Sequence, residues 1–260
     1  MESWKTAVSY SDEDQIWIRG KAMTNLMATA SFTEVVFLLH QGRLPGAAER
    51  RLLDAILVAV SDHGPGSPSA ATARLVASAN RQSPEAAIAA GVLSIGDMHA
   101  GAGQACMEMI EAGLKMAQNE SISIAEAAKR TVIDSRQKKQ RLSGLGHRVH
   151  LRDPRTPVLF GTARDLKLAG EGIEFITAVE AAAREVIKPL PINVDGALAA
   201  VLYDLGFPPL FAKFVFIIGR VAGLTAQVSE EYTRERPMRI KIPVQYDGIQ
   251  PNGNGSNGQH

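Results

Sequence analysis

Residues 31–45, SFTEVVFLLHQGRLP, carry the start, body and stop of a helix in one short stretch. The Ser31 hydroxyl can accept from the Glu34 amide while the Glu34 carboxylate reaches back to the Ser31 amide. This capping box satisfies two otherwise unpaired donors of a first turn. An apolar run through Leu38 and Leu39 follows, and Gly42 and Pro45 supply the stop. Similar signals recur along the chain. Leu52, Leu53, Ile56, Leu57 and Val60 fall at helical spacing. Ser67-Pro68 and Ser83-Pro84 each set a capping residue before a proline at the first helical position, where its missing N–H costs nothing. Ser123-Ile124-Ala125-Glu126 is a second capping box, and Thr156-Pro157 opens a helix that Gly170 or Gly172 should end. Residues 175–188 are Ala-rich and amphipathic until Pro189 and Pro191 break them. Two helical stretches follow Gly196, divided by Gly206-Phe207-Pro208-Pro209. No run alternates as a half-buried strand would, so the expected fold class is all-α.

Composition bounds the rest. The chain has 260 residues, enough for one domain or two small ones, with 45% hydrophobic but only 5% aromatic residues. Its core must therefore be aliphatic, which favours close helix–helix packing. A net charge of +1 argues against bulk electrostatic coating of nucleic acid. The single cysteine, Cys106, excludes an internal disulfide and a cysteine-based zinc site; it reads as a core residue and suits a reducing cytoplasm. Residues 1–10 lack the cationic-then-apolar order of a secretory signal. The small-residue run 84–110 is interrupted by Asp97, His99, Gln104 and Glu108, whereas a membrane span needs roughly 20 mostly apolar residues. It reads as buried helix. Neither membrane nor nucleic acid is an expected partner. The Gly-, Asn- and Ser-rich end of the tail, 251–260, has no apolar content and is expected to be disordered.

Residues 135–155, SRQKKQRLSGLGHRVHLRDPR, concentrate charge. Arg136, Lys138, Lys139, Arg141, Arg148, Arg152 and Arg155 stand against one acid, Asp153. Gly144 and Gly146 lie inside the block, where backbone amides can approach a ligand closely, and His147 follows directly. Two readings are open: a solvated charged turn, or a phosphate and carboxylate site with a histidine placed for chemistry. Aromatics for base stacking are absent from the block.

Gly144-Leu145-Gly146-His147-Arg148-Val149, with Asp153-Pro154-Arg155 behind it, resembles the glycine–histidine loop of the citrate synthase superfamily. Other pieces resemble that family in the family's order: Ile18-Arg19-Gly20, residues 31–45, Asp62-His63-Gly64, the small-residue helix 69–78, GDMHAGA at 96–102, Asn193-Val194-Asp195, and Ile218-Gly219-Arg220. The resemblance spans 18–237, and the whole set in one order is specific.

The resemblance implies an all-α architecture with a large helical domain (1–103 and 201–250), a small helical domain (104–200), and an active-site cleft between them. It implies a coenzyme A thioester as substrate, no metal, and a homodimer in which Arg236 reaches into the partner's site. Asp195 would be the base, His99 the donor to the thioester carbonyl as it becomes an enolate, and His147 the group exchanging a proton with the keto or hydroxyl oxygen. Arg155, Arg220 and Arg236, with His63 beside them, would grip substrate carboxylates. Arg148 and Arg152, with Gly144, Leu145 and Gly146, would hold the coenzyme phosphates, with Lys138 and Lys139 as further candidates. Plainer readings stand beside these. Asp195 can be a helix cap, His99 an interior histidine, His63 a helix-end histidine, and Arg236, like Arg234 and Arg239, a surface charge.

The chain lacks much of the N-terminal helical region of full-length synthases, and Gly64-Pro65 follows His63 as Gly196 follows Asp195. The last two features resemble the citryl-CoA lyase module of ATP-citrate lyase and the short stand-alone citryl-CoA lyases; His99 is the synthase-like feature. The expected reaction is cleavage of citryl-CoA to acetyl-CoA and oxaloacetate. The alternatives are citrate or 2-methylcitrate synthesis and, from another class, a catalytically silent CoA-binding or oligomerisation module.

Overall fold

The computed structural model describes residues 3–146 and 153–248. His147, Arg148 and Arg152 lie outside the described residues, as does the tail 251–260. Among the described residues there are eleven helices: α1 (Met23–Thr29), α2 (Phe32–Gln41), α3 (Ala47–Val60), α4 (Pro68–Ala79), α5 (Pro84–Leu93), α6 (Ala102–Asn119), α7 (Ile124–Gln137), α8 (Arg155–Asp165), α9 (Glu171–Val186), α10 (Val194–Asp204) and α11 (Phe211–Arg234). The all-α expectation holds with one addition. A three-stranded antiparallel meander, β1 (Ser9–Ser11), β2 (Ile16–Ile18) and β3 (Lys21–Ala22), precedes α1. Strands of two or three residues are too short to show alternation, and this one is steadied by Tyr10 stacked on the facing Trp17.

Local chemistry explains most boundaries. The Ser31 box forms in full: Glu34 N donates to Ser31 Oγ over 3.3 Å and Ser31 N to Glu34 Oε2 over 2.7 Å. Gly42 takes the left-handed conformation at the other end, with φ 76°. Ser123 caps α7, but the Glu126 carboxylate bonds Arg130 over 2.8 Å instead of reaching back, so that box is half formed. The small-residue run 84–110 is two helices, α5 and α6, divided by a turn.

The stop expected for α8 is corrected. That helix ends at Asp165, and Gly170 and Gly172 instead begin α9. Asp204, the last residue of α10, accepts from the amides of Gly170 (2.8 Å), Gly172 (2.7 Å) and Ile173 (3.3 Å), capping α9 from another helix. A Cβ on Gly170 would sit 2.9 Å from the Asp204 carboxylate, and one on Gly172 2.7 Å from Ala200 O. The glycines are therefore landing space for a carboxylate.

The largest apolar cluster runs from Phe37 and Ile56 through Met107, Ile110, Phe175 and Ile176 to Val201, Leu202 and Val215. It is built mainly of Leu, Ile, Val and Ala, as the composition requires. Residues 104 and 200, the expected ends of the small domain, fall inside α6 and α10, two helices packed against each other. Among the described residues α11 alone is long and apolar enough to cross a membrane, yet it carries buried Arg220 and Glu231. It is a core helix, and it comes unusually near α3. A Cβ on Gly219 would lie 2.9 Å from Leu57 O, and one on Gly223 2.1 Å from Ser61 O. That approach brings Arg220 Nε to Val60 O at 3.0 Å.

Gly223→Ala tests this spacing. Alanine improves helix propensity by about 1 kcal/mol, but its methyl must displace the α3 backbone. The expected net result is a loss of about 1–3 kcal/mol from overpacking. It is read as a lower urea midpoint at unchanged slope; a midpoint equal to or above that of the wild type would show that the contact does not set the helix spacing.

Candidate active site

His99 sits in a tight turn at the entry to α6. Gly96 and His99 exchange backbone hydrogen bonds of 2.9 and 3.0 Å, and Gly101 N also donates to Gly96 O. A Cβ on Gly101 would meet Asp97 Cα at 2.6 Å, so the turn closes only over glycine. The His99 ring is half-buried, edge-on to Phe216, with Nε2 3.0 Å from the Ser69 hydroxyl of α4. Arg220 Nη1 donates to the same hydroxyl over 3.0 Å. Ser69 Oγ has no further hydrogen-bond partner among the described residues and arginine has no acceptor, so the buried hydroxyl proton points at His99 Nε2. This assigns the tautomer with the proton on Nδ1. Burial first, then the charges of Arg220 and His63, hold His99 below the ordinary imidazole value. It is a neutral imidazole with an N–H to offer.

Arg220 is buried on α11 with its guanidinium 4.8 Å from the Phe216 ring centre. Burial lowers its pKa; Asp62 opposes that effect, Arg155 reinforces it, and Asp195 opposes it. Nε and Nη1 are committed to Val60 O and Ser69, whereas Nη2 makes no hydrogen bond among the described residues.

Asp195 lies in the first turn of α10 but is not its cap. Asn193 is: its Oδ1 accepts from the amides of Asp195 (2.9 Å) and Gly196 (3.2 Å). The Asp195 carboxylate, half-buried, accepts no hydrogen bond among the described residues. Burial raises its pKa above the ordinary carboxylate value, Arg155 works against that, Asp153 adds to it, and Arg220 opposes it. A carboxyl shifted this way is better matched to proton transfer near neutral pH than a solvated one.

The glycine loop is laid along the strand-like segment that leads into α10. Gly146 N donates to Pro191 O (2.7 Å), Asn193 N to Gly144 O (3.0 Å), and Asn193 Nδ2 to Gly146 O (2.6 Å). Gly144 and Gly146 adopt φ of 80° and 78°. Gly144 also faces Gly196: a Cβ on Gly196 would lie 2.3 Å from Gly144 O, and one on Gly144 2.6 Å from both Gly196 Cα and Cys106 Sγ. Cys106 is fully buried there, and burial, then Asp195, push its thiol far up. It is an inert core residue, as expected. Behind the segment, between α8 and α9, a cavity of 540 Å³ is lined by Asp153, Phe160, Arg164, Arg184 and Leu190, among others.

Arg155 opens α8, and its fork holds Asp153: Nε to Oδ1 at 2.9 Å and Nη2 to Oδ2 at 2.8 Å, with Nη1 on Ala59 O at 3.2 Å. Asp153 accepts in addition from the amides of Arg155 and Val194, both at 3.0 Å. Burial alone would raise this carboxyl, but hydrogen bonds from the Arg155 side chain and amide, the Arg155 charge and the Val194 amide bring it to about 2. Asp153 thus ties the start of α8 to the start of α10. The sequence shows it as the one acid of a cationic block and as part of the Asp153-Pro154-Arg155 likeness, but not in this role. Ser69 is not marked out either, since nothing separates that serine from the other small residues of α4. Asp153 could have been suspected from its place two residues before a proposed anion-binding arginine.

His63 is exposed after α3, within electrostatic reach of His99. Arg236 is exposed beyond α11 and makes no hydrogen bond or ion pair among the described residues, whereas Arg234 pairs with Glu230 and Arg239 with Glu231. Lys138 pairs with Asp134. The structure therefore brings His63, His99, Arg155, Asp195 and Arg220 into one electrostatic neighbourhood with the glycine loop beside it. Arg236 is not part of that group within one chain.

The model of the citrate synthase C-terminal domain matches residues 46–241, three quarters of the chain. The chain belongs to the citrate synthase family. A citrate synthase of Heyndrickxia coagulans is 30% identical over 219 residues, covering 82% of this chain and 55% of that protein. The chain spans about half the length of the curated relatives it matches. Among solved structures, citryl-CoA lyase from Hydrogenobacter thermophilus superposes with a TM-score of 0.88 at 36% identity, covering 98% of both chains. ATP citrate lyase from Methanothrix soehngenii, solved with citrate and coenzyme A, shares the fold, with a TM-score of 0.75 at 20% identity over 95% of this chain and 42% of that one.

The Asp153 clamp has a pH signature. Its folded pKa, about 2, lies below the ordinary 3.8. The stability it contributes is therefore present above pH 3.8 and lost as pH falls toward 2, and it amounts to about 2 kcal/mol. Urea unfolding between pH 2 and pH 5 should show this slope in the wild type and a flatter one in Asp153→Asn; parallel slopes would contradict the clamp.

Proposed function

We propose that the chain cleaves citryl-CoA to acetyl-CoA and oxaloacetate by way of the acetyl-CoA enolate. The observation that carries the reading is the combination of a neutral His99, fixed through Ser69 and Arg220, with an Asp195 of raised pKa that accepts no hydrogen bond among the described residues. Such a pair can support an enolate beside a thioester: a neutral N–H donor meets the charge that develops on the oxygen, and a carboxyl handles the proton at carbon. Likeness to a citryl-CoA lyase over 98% of both chains supports the direction.

In cleavage, the hydroxyl proton of citryl-CoA passes to His147 by the family resemblance. The electron pair of the breaking carbon–carbon bond becomes the enolate as the ketone of oxaloacetate forms. His99 Nδ1–H donates to the enolate oxygen. Asp195, starting protonated, delivers its proton to the enolate carbon and completes the methyl of acetyl-CoA. Arg220, through Nη2, binds a substrate carboxylate, while Arg155, its fork held by Asp153, contributes field and a fixed edge. Gly144, Leu145 and Gly146, with Arg148 and Arg152, hold the coenzyme. In this reading residues 104–200, with Asp195 and the glycine loop, close on the remainder bearing His99 and Arg220, and closure excludes water from the enolate. The exposed Arg236 serves the partner of a homodimer. The same groups run in reverse as a citrate or 2-methylcitrate synthase, the reading that the 30%-identical citrate synthase favours. The intact His99 and Asp195 arrangement weighs against a silent module.

Purified protein is incubated with citryl-CoA and, separately, with oxaloacetate plus acetyl-CoA or propionyl-CoA, while thioester and oxaloacetate are followed. Faster cleavage of citryl-CoA than condensation is expected; turnover in none of these mixtures would overturn the enzymatic reading. Asp195→Asn should lower kcat by about 10²–10⁴-fold with an unchanged circular-dichroism melt. Near-wild-type kcat in that variant would remove Asp195 from proton transfer.

A further inference from the structure

The turn Asp62-His63-Gly64 contributes to the site, yet Asp62 and His63 are exposed and Gly64 sits at φ 81°. Its support comes from α11. Asp62 Oδ2 accepts from Gly64 N within the turn and from Gln227 Nε2, each at 3.1 Å. At its other end, Gln227 Oε1 accepts from Arg74 Nη1 at 2.8 Å. Arg74 is buried and pairs through Nη2 with Glu231 at 3.0 Å; Glu231, fully buried, also takes Arg239 Nε at 2.9 Å and Nη2 at 2.5 Å. A line of polar contacts thus runs from the segment after α11, along α4 and α11, to the active-site turn.

The chemistry of the ends fixes the middle. Arginine can only donate and a carboxylate can only accept, so the Gln227 amide is held with oxygen toward Arg74 and nitrogen toward Asp62. Neither Glu nor Leu can make both bonds. Gln227 is seven residues after Arg220, two helical turns on, and so shares its face of α11. The Asp62 charge already acts on Arg220. A carboxylate on an exposed turn, released from Gln227, becomes an internal competitor for the guanidinium that would receive the substrate's own carboxylate.

We infer that Gln227 is a positioning residue, which restrains the Asp62 carboxylate and so keeps Arg220 available to a substrate carboxylate. This rests on the proposed function for the identity of the ligand. Gln227→Leu cuts the tether, and Gln227→Glu also sets a carboxylate against Asp62. In both, KM for citryl-CoA in cleavage and for oxaloacetate in condensation should rise roughly tenfold. The kcat values and the KM for acetyl-CoA should hold within about twofold. Asp62→Asn, added to Gln227→Leu, should return the carboxylate KM toward the wild-type value, because a neutral amide does not compete for Arg220. A purely structural Gln227 would not be rescued in this way. Unchanged carboxylate KM in both single variants, a rise that Asp62→Asn does not reverse, or an equal rise for acetyl-CoA would each overturn the inference. Titration calorimetry with oxaloacetate reads the same grip without turnover. A wild type that binds oxaloacetate but converts nothing fails the proposed function alone, and the variants' Kd then decides the inference. A wild type that binds no oxaloacetate fails both.

Discussion

Gly144 and Gly196 meet backbone to backbone, close enough that a methyl on Gly196 would fall 2.3 Å from the facing carbonyl oxygen. Through that contact the glycine loop lies directly on the first turn of α10, beside the carboxylate of Asp195. Asn193 closes the arrangement with one side chain, its oxygen capping α10 and its nitrogen holding Gly146 O. Because Asn193 caps the helix, Asp195 is released from the role an aspartate usually has at such a position. The loop expected to hold the coenzyme and the carboxyl expected to move a proton are thus fixed relative to one another by main-chain atoms.

The opposite side of the site rests on a buried charge. Arg220 reaches its place because α11 runs against α3 over two glycines, and among the described residues it then binds a carbonyl and a hydroxyl instead of a carboxylate. A buried guanidinium without a directly paired anion is costly unless its hydrogens are used. Using two edges on Val60 O and Ser69 reduces that cost and leaves Nη2 without a hydrogen bond among the described residues. The same cation disfavours protonation of His99. Burial is the larger cause of that shift, and the Arg220 charge adds to it.

Much of this was legible in the residues. The capping box at Ser31, the prolines opening α4 and α5, and the aliphatic core follow from local rules and composition, because caps and periodicity act over a few residues. The family could be named from motif order, since the full set of motifs in one order is specific where any one piece is weak. What stayed hidden depends on residues far apart in the chain. Asp153 as the clamp between α8 and α10, Ser69 as the relay between Arg220 and His99, and Asp204 as the cap of α9 all gain their meaning from helices that meet only in three dimensions. Gly170 and Gly172 were misassigned for that reason, as their partner lies more than thirty residues downstream. Gly196 was noted as a point of likeness; its physical cause, the approach of Gly144, needed the fold.

Helix α11 sets Gly219, Arg220, Gly223, Gln227 and Glu231 on connected faces over little more than three turns. Each position has a different demand: bare backbone against α3, a buried cation on Val60 O and Ser69, an amide on Asp62, a buried anion. Such a helix has no tolerance for phase. One inserted residue after Gly223 would rotate everything beyond it by about 100°, turning the tether and the buried anion toward solvent while leaving Arg220 in place. The length of α11 between Gly219 and Glu231 is therefore closed to insertion and deletion. The spacing of these five residues is thus as much a requirement of this architecture as their identities.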